Sequence, residues 1–332
     1  MDNKITKRRL ANTLAYDWVK ILVVIVLIVF VWSLAYTIGA PRASTGQTFS
    51  IHTYGGFSSS KTPNDLADEL KEEGVFSYDV LTFSNRELTS EYYSQIMMSV
   101  ISIQELDVMI TEDSTLSQEN NSSSFRDLID GYGDIIYTVD GLISDAKRYC
   151  LDNAFVSAVN GGYELNSDVI RDYFDRRMDG DPRFRDPSSQ RYLDCREEEV
   201  LRVQNVWNNA VRLEQCLQNH PELRHNYTRF TQAVALDPET YGGEEYQGQE
   251  ELTYGINLGA LTGGSKSVTE LYAISLLDDS GELIGVTADG IIISVFNFRD
   301  YQIDLQYESL SFINYFIKNY SNFLDGEFIN LV

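Results

Sequence analysis

Three short segments place ligand-capable groups where a strand gives way to a loop: Tyr54-Gly55-Gly56, Phe83-Ser84-Asn85-Arg86 and Thr111-Glu112-Asp113-Ser114. Gly55 and Gly56 permit a tight turn and a close backbone approach to a ligand, with Tyr54 as a stacking wall. Ser84, Asn85 and Arg86 occupy the second loop, and Thr111, Glu112 and Asp113 could hold a cationic group at the end of a third strand. Each segment also has an ordinary use, because glycine punctuates turns and acidic residues cap the next stretch of chain. In an open parallel sheet, ligands sit beyond the carboxyl ends of the strands, which is where all three loops are expected.

Other arrangements fall short of a mechanism. Gly259–Ser267 approaches a phosphate-binding loop, but Ser265 separates Gly264 from Lys266, where that motif needs Gly-Lys-Ser or Gly-Lys-Thr. Gly131-Tyr132-Gly133 lacks the third glycine of a dinucleotide fingerprint. There is no G-x-S-x-G, H-E-x-x-H or C-x-x-C, which removes the commonest hydrolase, metalloprotease and redox chemistries. Cys195, Cys216 and His220 lack the spacing of a zinc knuckle, and Asp179-Gly180-Asp181 and Asp278-Asp279-Ser280 lack that of a calcium loop. The expectation is a non-enzymatic protein without cofactor or metal.

The compartment is read from the amino-terminal end. Ile21–Ala40 runs twenty residues without a charge, matching the roughly 20 that cross a hydrocarbon core as a helix. A cleaved signal would have a shorter apolar region, of about 7 to 15 residues. Lys4, Lys7, Arg8, Arg9 and Lys20 outweigh Asp2 and Asp17 ahead of this run, and positive flanks stay inside. Residues 1–20 are thus expected as a cytoplasmic leader, 21–40 as a single transmembrane helix, 41–47 as a linker, and the remainder as an extracellular portion. The formal net charge of −24 repels nucleic acid and anionic headgroups. Three cysteines, Cys150, Cys195 and Cys216, are too few for a disulfide scaffold and read as buried apolar residues.

Beyond the linker, periodicity gives strand, helix, strand, helix, strand across TFSIHTYGG, TPNDLADELKEEG, VFSYDVLTFSN, SEYYSQIMMSVISIQ and ELDVMITED. Right-handed crossovers make this a mostly parallel βαβαβ sheet lobe in 48–118. Residues 119–247 read as an inserted helical subdomain, including a stripe of Val200, Val203, Trp207, Ala210, Leu213 and Leu217. Residues 248–332 turn β-rich and close with a helix over LQYESLSFINYFIKNYSNFL, a strand-helix return that completes the α/β lobe.

The run from FSIHTYGG through FSYDVLTFSN to DVMITED resembles the first lobe of bacterial extracellular solute-binding proteins of the periplasmic-binding-protein type II class. The ending IIISVFNFRDYQIDLQYESLSFINYFIKNYS is similar to that family's late strand and Phe-Ile-containing helix. Family members commonly carry a lipid-modified cysteine and a second α/β lobe, where this chain has an uncleaved anchor and a helical centre. The resemblance implies capture of a small ligand between the α/β lobe and the helical subdomain, with Tyr54, Gly55, Gly56, Ser84, Asn85, Arg86, Thr111, Glu112 and Asp113 at the site. It also implies presentation to a transporter or sensor subunit in the membrane. The rival expectation is an extracytoplasmic interaction or assembly subunit that keeps the fold without a ligand.

Overall fold

The computed structural model describes residues 18–20, 22–34, 47–61, 63–77, 80, 82–119, 122–159, 161–181, 184, 186–230, 249–278, 280–298 and 307–323. The chain forms two compact units, Met1–Ala43 and Ser44–Val332. In the first, residues 22–34 form helix α1, whose apolar side chains are 44% to 74% exposed around the whole helix. No helix among the described residues is long and apolar enough to cross a membrane. Ile21 and residues 35–40 of the expected span lie outside the described residues.

The second unit is α/β, built on a mixed six-stranded sheet in the order β3-β1-β4-β11-β8-β7. These strands are β1 (Thr48–Tyr54), β3 (Thr82–Glu87), β4 (Val108–Glu112), β7 (Arg224–Phe230), β8 (Gln249–Asn257) and β11 (Ile291–Val295). β1 runs parallel to both β3 and β4, as the alternating helix-strand pattern demands, and the helices between them are α2 (Pro63–Glu72) and α3 (Tyr93–Ile103). The other half is antiparallel: β11 pairs with β4 and β8, and β8 with β7. The expected mostly parallel sheet is therefore corrected to a half-parallel one. Its late strands β8 and β11 reach the sheet without the strand-helix-strand alternation that keeps β1, β3 and β4 parallel.

Two differences concern the strands themselves. The second strand, expected over residues 75–85, begins only at Thr82, because Val75, Phe76 and Val80 pack as plugs against the core. Ser84, Asn85 and Arg86 consequently lie within the strand and not in a loop at its end. The expected helical stretch ends at Pro221, and Arg224–Phe230 joins the main sheet as β7 by pairing with β8.

The helices between β4 and β7 are α4 (Thr115–Glu119), α5 (Ser124–Tyr132), α6 (Val139–Asp152), α7 (Ser167–Arg177) and α8 (Gln190–Asn219), with a hairpin β5 (Val156–Val159) and β6 (Gly162–Leu165). They do not form a separate subdomain. Val139, Leu142, Ala146, Val203, Trp207 and Leu213 of α6 and α8 share one continuous core with Phe49, Ile51, Val108, Ile110 and Ile293 of the sheet. The closing helix α9 (Glu308–Tyr320), expected from its apolar spacing, adds Phe312, Ile313 and Phe316 to the same core. On the opposite face, Tyr93, Met97 and Val100 of α3 and Phe125, Leu128 and Ile129 of α5 pack with Met109, Tyr254 and Ile292. The helical middle thus packs directly against one face of the sheet.

A second, three-stranded sheet, β10-β9-β2, is formed by β2 (Ser58–Ser59), β9 (Tyr272–Leu277) and β10 (Leu283–Thr287). A turn connects β9 and β10, with Gly281 at φ +82. Cys150, Cys195 and Cys216 are free thiols, and burial pushes those of Cys150 and Cys216 up to about 12 and about 11.

Candidate functional site

Two of the three expected loops converge, because β1 and β4 are parallel neighbours with Tyr54 opposite Thr111. They converge on each other. Gly56 N–H donates to Glu112 Oε2 at 2.6 Å, Ser114 Oγ donates to Glu112 Oε1, and Ser124 Oγ lies 2.8 Å from both the Glu112 N–H and the Tyr54 carbonyl. A Cβ on Gly55 would stand 2.9 Å from that of Glu112, so the glycine admits a close approach by this side chain and not by a ligand. Tyr54 stacks on Tyr93 with ring centroids 4.1 Å apart, which uses the face expected for a ligand.

Asp113 is equally engaged. Its Oδ1 accepts from Ser123 Oγ at 2.7 Å and Arg126 Nε at 3.0 Å, and its Oδ2 lies 2.9 Å from His225 Nε2. Burial alone would raise the Asp113 carboxyl, but hydrogen bonds from His225 and Ser123 and the charge of Arg126 hold it below the usual range. Serine, aspartate and histidine are together here in the wrong order for acyl transfer. In a catalytic triad the imidazole takes the hydroxyl proton, whereas here both groups bond to the carboxylate. The junction is a buried polar knot whose two carboxylates are hydrogen-bonded, while the buried Thr111 hydroxyl has no partner.

The third segment opens a different surface. Parallel register sets Thr48, Ser50 and His52 of β1 opposite Thr82, Ser84 and Arg86 of β3, and all six side chains share one face. Asn85, opposite Ile51, belongs to the other face. A sheet face under a helix is normally apolar, yet this one is polar at every position while Ser50 and His52 are buried. α3 turns Tyr93, Met97 and Val100 onto the neighbouring apolar cluster and leaves Tyr92, Gln95, Ile96, Ser99 and Ile103 over the polar strands. Tyr92 and Ile103 at the two ends of this helix are about half exposed.

The result is a groove of about 500 Å³ with the polar strands as its floor. His52 is 2% exposed, and its Nδ1 has no hydrogen-bond partner. Burial first, and the charge of Arg86 second, depress its pKa to about 4, so the ring is neutral at pH 7. Beside the groove floor, Asp107 accepts from the Ser50 N–H at 2.8 Å. Complete burial, aided by the charge of Glu308 and opposed by that N–H, raises the Asp107 carboxyl to about 7.

A larger cavity of about 800 Å³ lies between α2, β3, α8 and α9, in the space between sheet lobe and helical middle where the ligand was expected. Arg202 there donates to both Glu199 oxygens at 2.8 Å and to Tyr149 at 3.1 Å. Among the described residues no group of three or more His, Cys, Asp or Glu could hold a metal ion.

No protein-family model, curated protein or solved structure matches this chain. Of the nine residues expected at a site, Tyr54, Gly55, Gly56, Thr111, Glu112 and Asp113 meet in the closed junction, Ser84 and Arg86 line the groove, and Asn85 faces away from it. Sequence reasoning missed Ser50, His52, Gln95 and Ser99. The available signal was the alternation Thr48-Ser50-His52, polar on every second residue and out of phase with Phe49-Ile51.

Proposed function

We propose that this chain is a non-enzymatic, extracytoplasmic binding protein tethered by its amino-terminal segment, which takes a small ligand into the groove between β1, β3 and α3 and presents it to a transporter or sensor subunit. One observation carries the reading: a sheet face made of six polar side chains, Ser50 and His52 buried and the others open to a groove, with an imidazole nitrogen left unpaired. Buried polar groups are normally satisfied, and an orphan costs about 1 to 3 kcal/mol. The volume falls in the range of about 300 to 1,000 Å³ that suits small molecules. The resemblance to solute-binding proteins supports the reading as a binding protein, though it implies a ligand between the sheet lobe and the helical middle and the groove lies at the sheet edge. The tether rests on the uncharged run Ile21–Ala40, its basic leader, and the apolar surface of α1.

The test is thermal unfolding of the full chain in lipid nanodiscs against a small-metabolite library, in wild type and in Ser99→Trp, which fills the groove. A ligand that raises the midpoint only in wild type supports the reading. Midpoints that never differ between the two proteins contradict it. Protease added to intact cells checks the topology: release of the carboxy-terminal portion is expected, and protection of it overturns the tether.

A second reading, an interaction or assembly subunit, has its own observation. β10 is an edge strand whose Leu283 and Ile284 are 63% and 67% exposed, with Leu277 and Val286 also more than half exposed. Proteins usually blunt such edges with charge or bulges, because a free apolar edge accepts a strand from another chain. Co-purification of a membrane subunit that is lost in Ile284→Lys supports this reading; retention of it counts against the hairpin.

A further inference from the structure

We propose that the ligand of this groove carries an oxyanion, a carboxylate or phosphate, seated on Arg86 with the Ser84 hydroxyl and the His52 imidazole beside it. The inference rests on the reading of the groove as a ligand site and adds the chemical class. The chain has 50 acidic and 26 basic residues. Arg126, Arg148, Arg171, Arg177, Arg196, Arg202, Arg224 and Arg229 each bind a carboxylate, while Arg176 bonds a backbone carbonyl and Arg191 lies over the Phe184 ring. Among the described residues the Arg86 guanidinium has no hydrogen bond or ion pair, although it stands on the rim of a groove with an unsatisfied floor. A guanidinium offers paired N–H donors that match carboxylate and phosphate geometry.

The surroundings favour the same sign. α3 runs back from the level of Arg86, and its amino terminus has no side-chain cap and no acidic residue in the first turn. Its free N–H groups therefore add partial positive charge at the Arg86 end. His52 is neutral and brings no charge of its own to the groove. The one acidic residue lining the groove, Glu105, sits at the far end: the register Ile51 to Val108 carries it back to the level of Thr48, about 13 Å along the strand from His52 and Arg86. A cationic ligand would meet Arg86 unscreened, and a fully neutral one would leave its charge unanswered. Tyr92, half exposed at the Arg86 end, provides an aromatic wall for the rest of the molecule.

The experiment uses the full chain in nanodiscs of neutral lipid at low ionic strength, with malonate, inorganic phosphate, glucose and putrescine as probes. Wild type, Arg86→Gln and Ser99→Trp are compared by calorimetric titration and thermal unfolding. Binding of malonate or phosphate that weakens at least ten-fold in Arg86→Gln and disappears in Ser99→Trp supports the proposal, and whichever of the two binds more tightly names the headgroup. The unliganded midpoint of Arg86→Gln is expected to stay at the wild-type value, which separates lost binding from lost folding. Glucose or putrescine binding that is sensitive to Ser99→Trp but not to Arg86→Gln overturns the oxyanion class and leaves the groove as a site. Anion effects that survive both substitutions mark adventitious ions and overturn the proposal. Absence of any Ser99→Trp-sensitive binding overturns the proposal and the site together.

Discussion

The carboxyl end of β4 and the shared face of β1 and β3 are both polar, yet they differ in whether the chain answers the charged groups they carry. At the end of β4, Glu112 and Asp113 collect donors from Gly56, Ser114, Ser123, Arg126 and His225. On the β1–β3 face, His52 keeps an unpaired nitrogen and Arg86 an unpaired charge. Acidic residues at a strand end looked like the binding chemistry, and they turn out to hold loops together. A satisfied buried network rigidifies a fold, and an unsatisfied one asks for a partner.

The largest effect expected from this contrast is at Asp113. Asp113→Ala leaves His225, Ser123 and Arg126 around an empty acceptor, and losing a hydrogen bond to a buried charged group costs about 1.5 to 3 kcal/mol. Denaturant unfolding should show that loss, and a loss within experimental error would make the knot incidental.

The next effect is pH dependence, where the two groups on the groove side work against each other. His52 has a folded pKa of about 4 against 6.5, so its contribution is present above 6.5 and is lost as the pH falls to 4, by about 3 kcal/mol. Asp107 has a folded pKa of about 7 against 3.8, so its contribution is present below 3.8 and is lost as the pH rises through 7, by a similar amount. The opposed slopes nearly cancel between pH 4 and 6.5 in the wild type. Relative to wild type, Asp107→Asn should gain stability steadily as pH rises across that window, and His52→Asn should lose it. Parallel curves for all three proteins would show that neither group is buried as described.

A smaller effect is expected at Gly290, which adopts φ +79 and where a Cβ would come within 2.6 Å of the Ser114 backbone. This glycine lets the β10–β11 turn press on the knot, where its carbonyl accepts the Asp113 N–H at 2.7 Å. Gly290→Ala should cost about 2 kcal/mol from left-handed strain and displaced backbone. Smallest of all is Arg86→Gln without ligand, within about 0.5 kcal/mol of wild type, since an exposed and unpaired side chain stabilises little.

Much of the scaffold was legible before any coordinates. The β4 run reads as a strand buried on both faces, Gly74 ends α2 at φ +61, and the apolar spacing of α8 and α9 marks the helices that seal the core. The features that escaped depend on pairing. Arg224–Phe230 is too polar to announce a strand, and becomes one because β8 supplies partners along its length. Val75 and Phe76 look like strand residues and serve as core plugs, which slid β3 along the chain and hid the face of Ser84 and Arg86. The groove was illegible for the same reason: polar residues 34 positions apart become one surface only when the register sets His52 beside Arg86. Glu112 and Asp113 were singled out correctly as unusual, but Ser123, Ser124 and His225 reach them from distant segments that no local pattern connects.

The most direct test uses the small number of histidines, His52, His220 and His225. The full chain is labelled with ¹⁵N in histidine alone and titrated with malonate and then phosphate at constant pH 7. The account predicts that the ring signals of His52 move and saturate while those of His220 and His225 hold still, and that Arg86→Gln abolishes the change. His52 signals that stay fixed through both titrations would contradict it.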